Sequence, residues 1–556
     1  IAVAGAAAIG QWSEGAVVAF LFGLSETLEG YTMERARRSI RALMDLAPRI
    51  ARVRRPDGAV AELPVDEVQV GDLLLVRPGE KIAMDGAILS GSSSINQAAI
   101  TGESVPVDRG PGAEVFAGTL NGEGALEVQV TRRVTDTTLA KIIHLVEEAQ
   151  AQRAPSQTFV DRFARVYTPT IMVLAAIIVL LPPLLLGAAW GPWIYRGLAL
   201  LVVGCPCALV VSTPVTLLSA IANGARHGVL VKGGAYLEQA AAIRAIAFDK
   251  TGTLTAGRPV VTDLQPLDGR TPEELVALAA AVEAESEHPL ARAIRQRAEG
   301  MPAFCTATQF QATTGRGARA LVDGEWIYAG SLAFFQEHLG LASVQVAELA
   351  AGFAAAGKSV VLIGSESALF GLIAVADTPR ADSRATLAAL KQAGIRHTVM
   401  LTGDNLATAT AIGGIVGVDE VQAELMPEGK VAAIRALVAQ YGAVAMVGDG
   451  VNDAPALAAA NLGIAVAAGG TDVALETADI ALMGDGLARL PFMVRLSRAA
   501  LTTIQQNIGI ALAFKLLAVA AVFPGWLTLW LAILADMGAS VLVTLNGMRL
   551  LRLKPE

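Results

Sequence analysis

The chain is short of charge, of aromatic rings and of cysteine. Asp, Glu, Lys and Arg make up only 17% of its 556 residues, and aromatics 5%. Hydrophobic residues reach 53% and mean hydropathy is +0.52. That is too apolar for an ordinary soluble enzyme and fits a membrane protein with soluble parts. A basic excess is also missing. The net charge of -8 leaves no electrostatic footprint for a nucleic-acid partner. Of the three cysteines, Cys205 and Cys207 lie inside an apolar segment and Cys305 stands alone, so no disulfide framework is expected. The first residue is Ile1, not Met, and further segments are expected upstream.

Long uncharged runs are what the chain does have. A membrane span needs ~20 apolar residues. Val166 to Tyr195 carries no charge, and neither does Gly197 to Ala225. Trp190 to Tyr195, with Arg196, reads as an interfacial turn between them. Ala499 to Met548 holds only Lys515 and Asp536 as charges, and Phe523-Pro524-Gly525-Trp526 reads as its central turn. Gly15 to Ser25 with its flanks reads as a fifth span, and Ile1 to Ile9 as the tail of an earlier helix. The polar blocks 36–160 and 227–490 share one side if they cooperate. Arg35, Arg37, Arg38, Arg226, Arg495, Arg498, Arg549 and Arg552 fall on that side, which makes it cytoplasmic.

Three short apolar runs each end in an acidic loop. Ile243 to Phe248 leads into Asp249-Lys250-Thr251-Gly252-Thr253-Leu254-Thr255. His397 to Leu401 leads into Thr402-Gly403-Asp404, and Ala443 to Val447 into Gly448-Asp449-Gly450-Val451-Asn452-Asp453. Strands alternating with helical stretches predict a parallel α/β sheet, whose ligands collect beyond the carboxyl ends of the strands. An aspartate there is placed to attack phosphorus. Asp249 and Asp449 together suit Mg²⁺, which prefers hard oxygen ligands. Residues 48–140 alternate in short runs with turns and predict a β-rich domain containing Thr101-Gly102-Glu103-Ser104.

The Asp249 string resembles the phosphorylation motif of P-type ATPases, and the Thr101 tetrapeptide resembles their actuator loop. The resemblance covers essentially the whole chain. It implies a multidomain membrane protein: an α-helical transmembrane bundle, a β-rich actuator domain, an α/β phosphorylation domain (haloacid-dehalogenase-like, Rossmann-type) and an α+β nucleotide-binding insertion. The expected boundaries are 1–47 for the first helices, 48–145 for the actuator, and 160–226 for a helix pair. The phosphorylation domain takes 227–261 and 376–490, the nucleotide domain 262–375, and the last helix pair 495–550. The cofactors implied are ATP and Mg²⁺. Asp249 becomes the phosphorylated residue, and Glu103 positions the hydrolytic water. The Thr251 carbonyl completes the Mg²⁺ site, Thr402 holds phosphate oxygens, Lys430 adds positive charge, and Asn452 and Asp453 support the loop. In the insertion, Ser286-Glu287-His288-Pro289-Leu290 and Gly315-Arg316-Gly317 resemble the nucleotide motifs of the heavy-metal members. Glu283 and His288 are assigned to the adenine region. Gly315 and Gly317 are assigned to close backbone approach, and Gly403 and Asp404 are added to the nucleotide set. Ser331 follows Gly330 where the family often has asparagine.

The cargo is read from the apolar segments. Gly204-Cys205-Pro206-Cys207 lies roughly ten residues into its span, ~13–15 Å deep at 1.5 Å per residue. Pro206 disfavours helix at Cys205, and two thiols bind soft or borderline cations. Lys515 is nine residues before Pro524 and Asp536 eleven after Gly525, which puts both near the same depth. Intramembrane charges are costly and normally functional or paired. Asp536 is assigned as a ligand or counter-charge to a divalent ion, and Lys515 as a built-in counter-ion that helps expel it. This set resembles the zinc/cadmium/lead exporters. The expectation is ATP-driven export of Zn²⁺, Cd²⁺ or Pb²⁺ by a monomer in a bacterial inner membrane, with catalytic domains in the cytoplasm. The alternatives are a Cu⁺/Ag⁺ exporter and a membrane-anchored phosphatase or metal sensor. Glu14, at the outer end of its span, reads either as an exit ligand or as an interfacial charge. Glu26 and Glu29, nearer the cytoplasmic end, read as entry groups or as solvated charges.

Overall fold

The computed structural model describes residues 2–44, 48–55, 58–97, 106–141, 154–286, 288–301, 307–313, 317–341, 343–404, 406–449, 453–467, 477–484 and 486–555. The chain forms two compact units. The first comprises Ile1–Ala242, Ala467–Leu475 and Asp479–Glu556, and the second Ile243–Val466 and Glu476–Ala478.

The first unit holds the apolar helices. We label them α1 (Ala2–Ala8), α2 (Trp12–Met44), α3 (Pro155–Leu186), α4 (Trp190–Val203), α5 (Cys207–Arg226), α6 (Leu490–Val522) and α7 (Leu529–Met548). Among the described residues, four helical runs are long and apolar enough to cross a membrane: Pro155–Leu186, Trp190–Arg226, Gly486–Val522 and Leu529–Arg552. The fifth expected span lies in α2. Its apolar part, Trp12–Leu24, is shorter than a full span because the helix runs on into a charged half.

The turn expected at Trp190–Arg196 is not there. Helix α3 ends at Leu186, with Gly187 as a left-handed cap at φ +65°. Trp190 already starts α4, and Arg196 lies within it. Pro192 does not oppose this, because in the first turn its missing N–H has no helical acceptor to lose.

In lipid, helices associate through close packing more than through the hydrophobic effect. Glycines provide it here. A Cβ on Gly197 would lie 2.2 Å from Val179, on Gly204 2.4 Å from Ile171, and on Gly547 2.7 Å from Thr216. Polar side chains add ties within the bundle. Asn507 donates to the Val543 carbonyl at 3.0 Å and accepts from Asn546 at 2.9 Å.

The same unit carries a six-stranded antiparallel sheet between Ile50 and Val130 and a three-stranded sheet built on Ser93–Asn96. Their core includes Ile82, Met84, Ile88, Ile95 and Val128, all fully buried or nearly so. Buried Asp85 pins this domain to the segment that leaves it. Its carboxylate accepts from Ala117 N at 2.8 Å and from Thr138 N and Oγ1 at 2.7 and 2.8 Å.

The second unit is built on a parallel sheet of β1 (Ala245–Asp249), β2 (His397–Leu401), β3 (Glu420–Gln422), β4 (Val444–Gly448) and β5 (Leu462–Ala467). The order is β5-β4-β1-β2-β3. The strand expected at 397–401 has those bounds. The other two begin later than expected and take in Asp249 and Gly448. Ala245, Ala247, Val399, Leu401, Val444 and Met446 line one core. Ile246 and Phe248, on the other face, are also fully buried, as a sheet covered on both sides requires. Full burial of a side chain such as Phe248 contributes roughly 1.5–3 kcal/mol.

Strands Thr255–Pro266 and Leu369–Pro379 lead into and out of a six-stranded antiparallel sheet. Helices Pro272–Val282 and Pro289–Ala298 pack on it through Leu275, Ala279, Val282 and Ile294. The first of these helices opens with a capping box, Thr271 and Glu274 each accepting the other's N–H.

Candidate functional site

Asp249 is the last residue of β1 and is only 6% exposed. One carboxylate oxygen accepts the Thr251 N–H at 2.9 Å, and the other accepts Lys430 Nζ at 2.5 Å. Lys430 also donates to Asp453 Oδ1 at 2.7 Å, and Asp453 is 1% exposed. Burial pushes the Asp249 carboxyl up to about 6; the Asp453 charge adds to this and Lys430 opposes it. Lys430 itself is held above the ordinary lysine value, because the two carboxylates outweigh its burial.

Asp449, the residue after β4, brings its carboxylate to the same loop. Its Oδ2 lies 3.7 Å from the place a Cβ on Gly252 would take. Gly252 turns the loop at φ +73°, a conformation that costs glycine nothing. Thr402, just beyond β2, is buried and accepts the Asp404 N–H at 3.1 Å. Asp404 in turn accepts Lys250 Nζ at 2.5 Å. The ends of three strands, with Lys430 from the helix Pro427–Tyr441, therefore bring Asp249, Thr402, Asp404, Lys430, Asp449 and Asp453 together. Glu103 and Asn452 lie outside the described residues.

Sequence reasoning missed the second layer of this site. Thr255 Oγ1 donates to Asp377 Oδ2 at 2.5 Å. Arg380 donates to the Thr255 carbonyl at 3.2 Å and the Gly252 carbonyl at 3.1 Å. Arg380 thus fixes the loop on which Asp249 depends. The signal was Asp377-Thr378-Pro379-Arg380, a charged pair around a proline where the chain leaves a strand.

In the antiparallel domain, Glu283 follows the helix Pro272–Val282 and is 8% exposed, with Oε2 lacking a hydrogen-bond partner among the described residues. Burial pushes its carboxyl above the ordinary glutamate value. His288 is exposed and caps the helix Pro289–Ala298, its Nδ1 accepting the Leu290 N–H at 3.2 Å. Gly315 lies outside the described residues. At Gly317 the close approach is to the neighbouring strand: a Cβ would stand 2.3 Å from the Ala329 carbonyl oxygen.

In the first unit, the break between α4 and α5 gathers the other cluster. One ligand atom each from Cys205, Cys207 and Asp536 lie within 4.8 Å of one another, all half-buried. The structure joins Cys205 to Cys207 in a single local disulfide, which the sequence reading did not anticipate. The turn at Pro206 puts both sulfurs on one side. As metal ligands these sulfurs stand for two thiolates, so binding requires the reduced pair. Lys515 is 6% exposed and donates to Asp536 Oδ1 at 3.1 Å, to the Val203 carbonyl at 3.0 Å and to the Cys205 carbonyl. It thereby occupies carbonyls that the helix break leaves without helical partners. A cavity of about 750 Å³ opens beside the cluster, lined by Glu26, Cys205, Cys207, Asp536 and Met537 among others.

Glu14 is in the first turn of α2, where its Oε2 accepts Tyr195 Oη at 2.5 Å. Sequence reasoning gave Tyr195 no role, because nothing in the sequence pairs α2 with α4.

A buried aspartate among acidic strand ends in the second unit, and two cysteines beside a carboxylate in the apolar bundle of the first, are the two clusters to set beside known proteins. A family model for the P-type ATPase actuator domain matches residues 45–147, and one for haloacid dehalogenase-like hydrolases matches 243–461. A cadmium-transporting ATPase of Staphylococcus aureus is 54% identical over 567 residues, covering 100% of this chain and 77% of the relative. The zinc/cadmium/lead-transporting P-type ATPase of Escherichia coli K12 is 44% identical, covering 99% and 74%. The crystal structure of a zinc-transporting PIB-type ATPase in an E2.Pi state superposes with TM-score 0.68 at 43% identity, covering 99% of this chain and 89% of the other. The chain belongs to the heavy-metal-transporting P-type ATPases.

Proposed function

We propose that the protein exports Zn²⁺, Cd²⁺ or Pb²⁺ from the cytoplasm, driven by ATP through an aspartyl-phosphate on Asp249. The observation that carries the cargo reading is Asp536 beside Cys205 and Cys207, held by Lys515. Two thiolates and a carboxylate give three negative charges, a set suited to a divalent soft or borderline ion. A monovalent copper ion needs no third charge. Lys515 holds Asp536 when the ion is absent and, as a counter-ion, helps to expel it. Glu26, on the cavity wall, serves entry, and Glu14 serves exit.

In the second unit, the Asp249 carboxylate attacks the γ-phosphorus of ATP. An O–P bond forms, and ADP leaves with the electron pair of the broken bond. Lys430 keeps Asp249 ionised for this step, and Thr402 and Lys430 receive the phosphate oxygens. Asp249, Asp449 and the Thr251 carbonyl offer hard oxygens that fit Mg²⁺; bound there, it would offset the repulsion between carboxylates and incoming phosphate. Glu283 and His288 are assigned to adenine, with Gly315, Gly317, Gly403 and Asp404 completing the nucleotide set. Hydrolysis is assigned to Glu103 from its motif alone.

The test is metal-stimulated ATPase activity of the reduced protein in lipid, across Zn²⁺, Cd²⁺, Pb²⁺ and Cu⁺. Stimulation by the divalent ions that disappears in Asp536→Ala is the expected result. Stimulation by Cu⁺ alone, unchanged in that variant, overturns the reading and makes the Lys515–Asp536 pair structural.

A further inference from the structure

Between the metal cavity and Glu14 the bundle is closed by apolar side chains. Val18 of α2, Leu198 of α4, and Leu529 and Ile533 of α7 pack into one buried cluster with Ala6, Ala199 and Met537. Val18 also lines the cavity, and Glu14 lies one helical turn before it. The cluster is therefore a plug, with the ligands on one side and Glu14 on the other.

Tyr195 packs against this plug, and its hydroxyl joins three of the four helices that form it. The hydroxyl accepts the Leu529 N–H at 3.0 Å. Leu529 is the first residue of α7, so that N–H has no acceptor within its own helix. With a lone pair engaged there, the phenolic proton is directed at Glu14 Oε2, 2.5 Å away. One oxygen thus ties α2, α4 and α7 at the outer rim of the plug. Two of those helices lead directly to ligands: α4 to Cys205, and α7 to Asp536 two turns on.

We propose that Tyr195 is a positioning residue that latches the outer gate. Its hydroxyl holds the Glu14 carboxylate in the closed arrangement and competes with the departing cation for it. Release requires Glu14 to leave Tyr195, and reclosure returns the carboxylate to the hydroxyl and sheds the ion. Without the hydroxyl, Glu14 stays open to cations and the plug loses its only shared polar tie among the described contacts of this rim. Metal already outside then binds back more readily. This inference rests on the reading of Glu14 as an exit group.

The experiment uses the full-length chain in sealed vesicles with its catalytic domains outward, so that the lumen is the outer side. ATP-dependent Zn²⁺ uptake is measured against Zn²⁺ preloaded in the lumen. Tyr195→Phe deletes one oxygen and keeps the ring, and phosphoenzyme formation at Asp249 reports that each variant folds. The loss of a hydrogen bond to a carboxylate predicts that half-inhibition falls to about one-tenth of the wild-type luminal Zn²⁺ concentration. In Glu14→Gln, inhibition by luminal Zn²⁺ weakens, and adding Tyr195→Phe to it changes nothing further. If Glu14→Gln shifts the inhibition and Tyr195→Phe does not, the latch is overturned while the exit reading stands. If Glu14→Gln leaves the inhibition at the wild-type value, the exit reading itself is overturned and the latch falls with it.

Discussion

Replacing Lys430 by methionine keeps the length of the side chain and removes its charge. The ammonium serves two buried carboxylates, Asp249 at 2.5 Å and Asp453 at 2.7 Å. A hydrogen bond to a charged group is worth about 1.5–3 kcal/mol, which at 1.36 kcal/mol per unit is a pKa change of roughly one to two. The Asp249 carboxyl starts at about 6, so at pH 7 about nine-tenths of it is ionised. In Lys430→Met its midpoint moves to about 7–8, and the ionised fraction at pH 7 falls to between about half and one-tenth. Only the carboxylate attacks phosphorus. The initial rate of phosphoenzyme formation, followed with labelled ATP from pH 6 to 9, should therefore lose about two- to tenfold at pH 7 and recover as the pH rises. Lost contacts to the phosphate would lower the whole curve without moving its midpoint. A reduction of equal size at every pH would refute the claim that Lys430 keeps the nucleophile ionised.

Two further outcomes follow from the antiparallel domain. Burial holds the Glu283 carboxyl above its ordinary value, so the folded state binds its proton more tightly than the unfolded chain. That contribution favours folding at low pH and fades as pH rises from the ordinary glutamate value through the folded one. Hydrogen exchange of helices 272–282 and 289–298 should thus show Glu283→Gln growing more protected relative to wild type over that window, and level beyond it. At Gly317 an alanine methyl would meet the Ala329 carbonyl oxygen at 2.3 Å, far inside contact distance. Gly317→Ala should destabilise the domain by about 1–3 kcal/mol and weaken ATP binding in proportion, as read by denaturant titration and nucleotide fluorescence.

Much of the soluble site is written in local strings, because a parallel sheet converts position along the chain into position in space. Each motif follows a short apolar strand, and the strands align their carboxyl ends, so Asp249, Thr402 and Asp449 had to meet. The charges of the last two apolar helices are legible for a related reason. Counting from the Pro524–Gly525 turn fixes depth, and depth pairs Lys515 with Asp536. What stayed hidden depends on packing between distant segments. Asp377 and Arg380 reach the Asp249 loop across more than 120 residues of sequence. Tyr195 meets Glu14 across 181. The turn after α3 was misplaced because Trp190-Gly191-Pro192-Trp193 has the composition of an interface, whereas the left-handed Gly187 decides where the helix stops.

The ammonium of Lys515 sits in the broken helix much as a bound ion would, with two carbonyls and a carboxylate around it. This cation is tied to the chain and cannot be released. On the proposed reading, transport is an exchange in which the arriving ion displaces a tethered rival from Asp536. A monovalent ion brings no more charge than the lysine it displaces, and the tether gives the lysine the entropic advantage. A divalent ion brings one charge more, while the two sulfurs stand open to either ion. Discrimination by valence would thus rest on the lysine itself, before any ligand closes on the cargo.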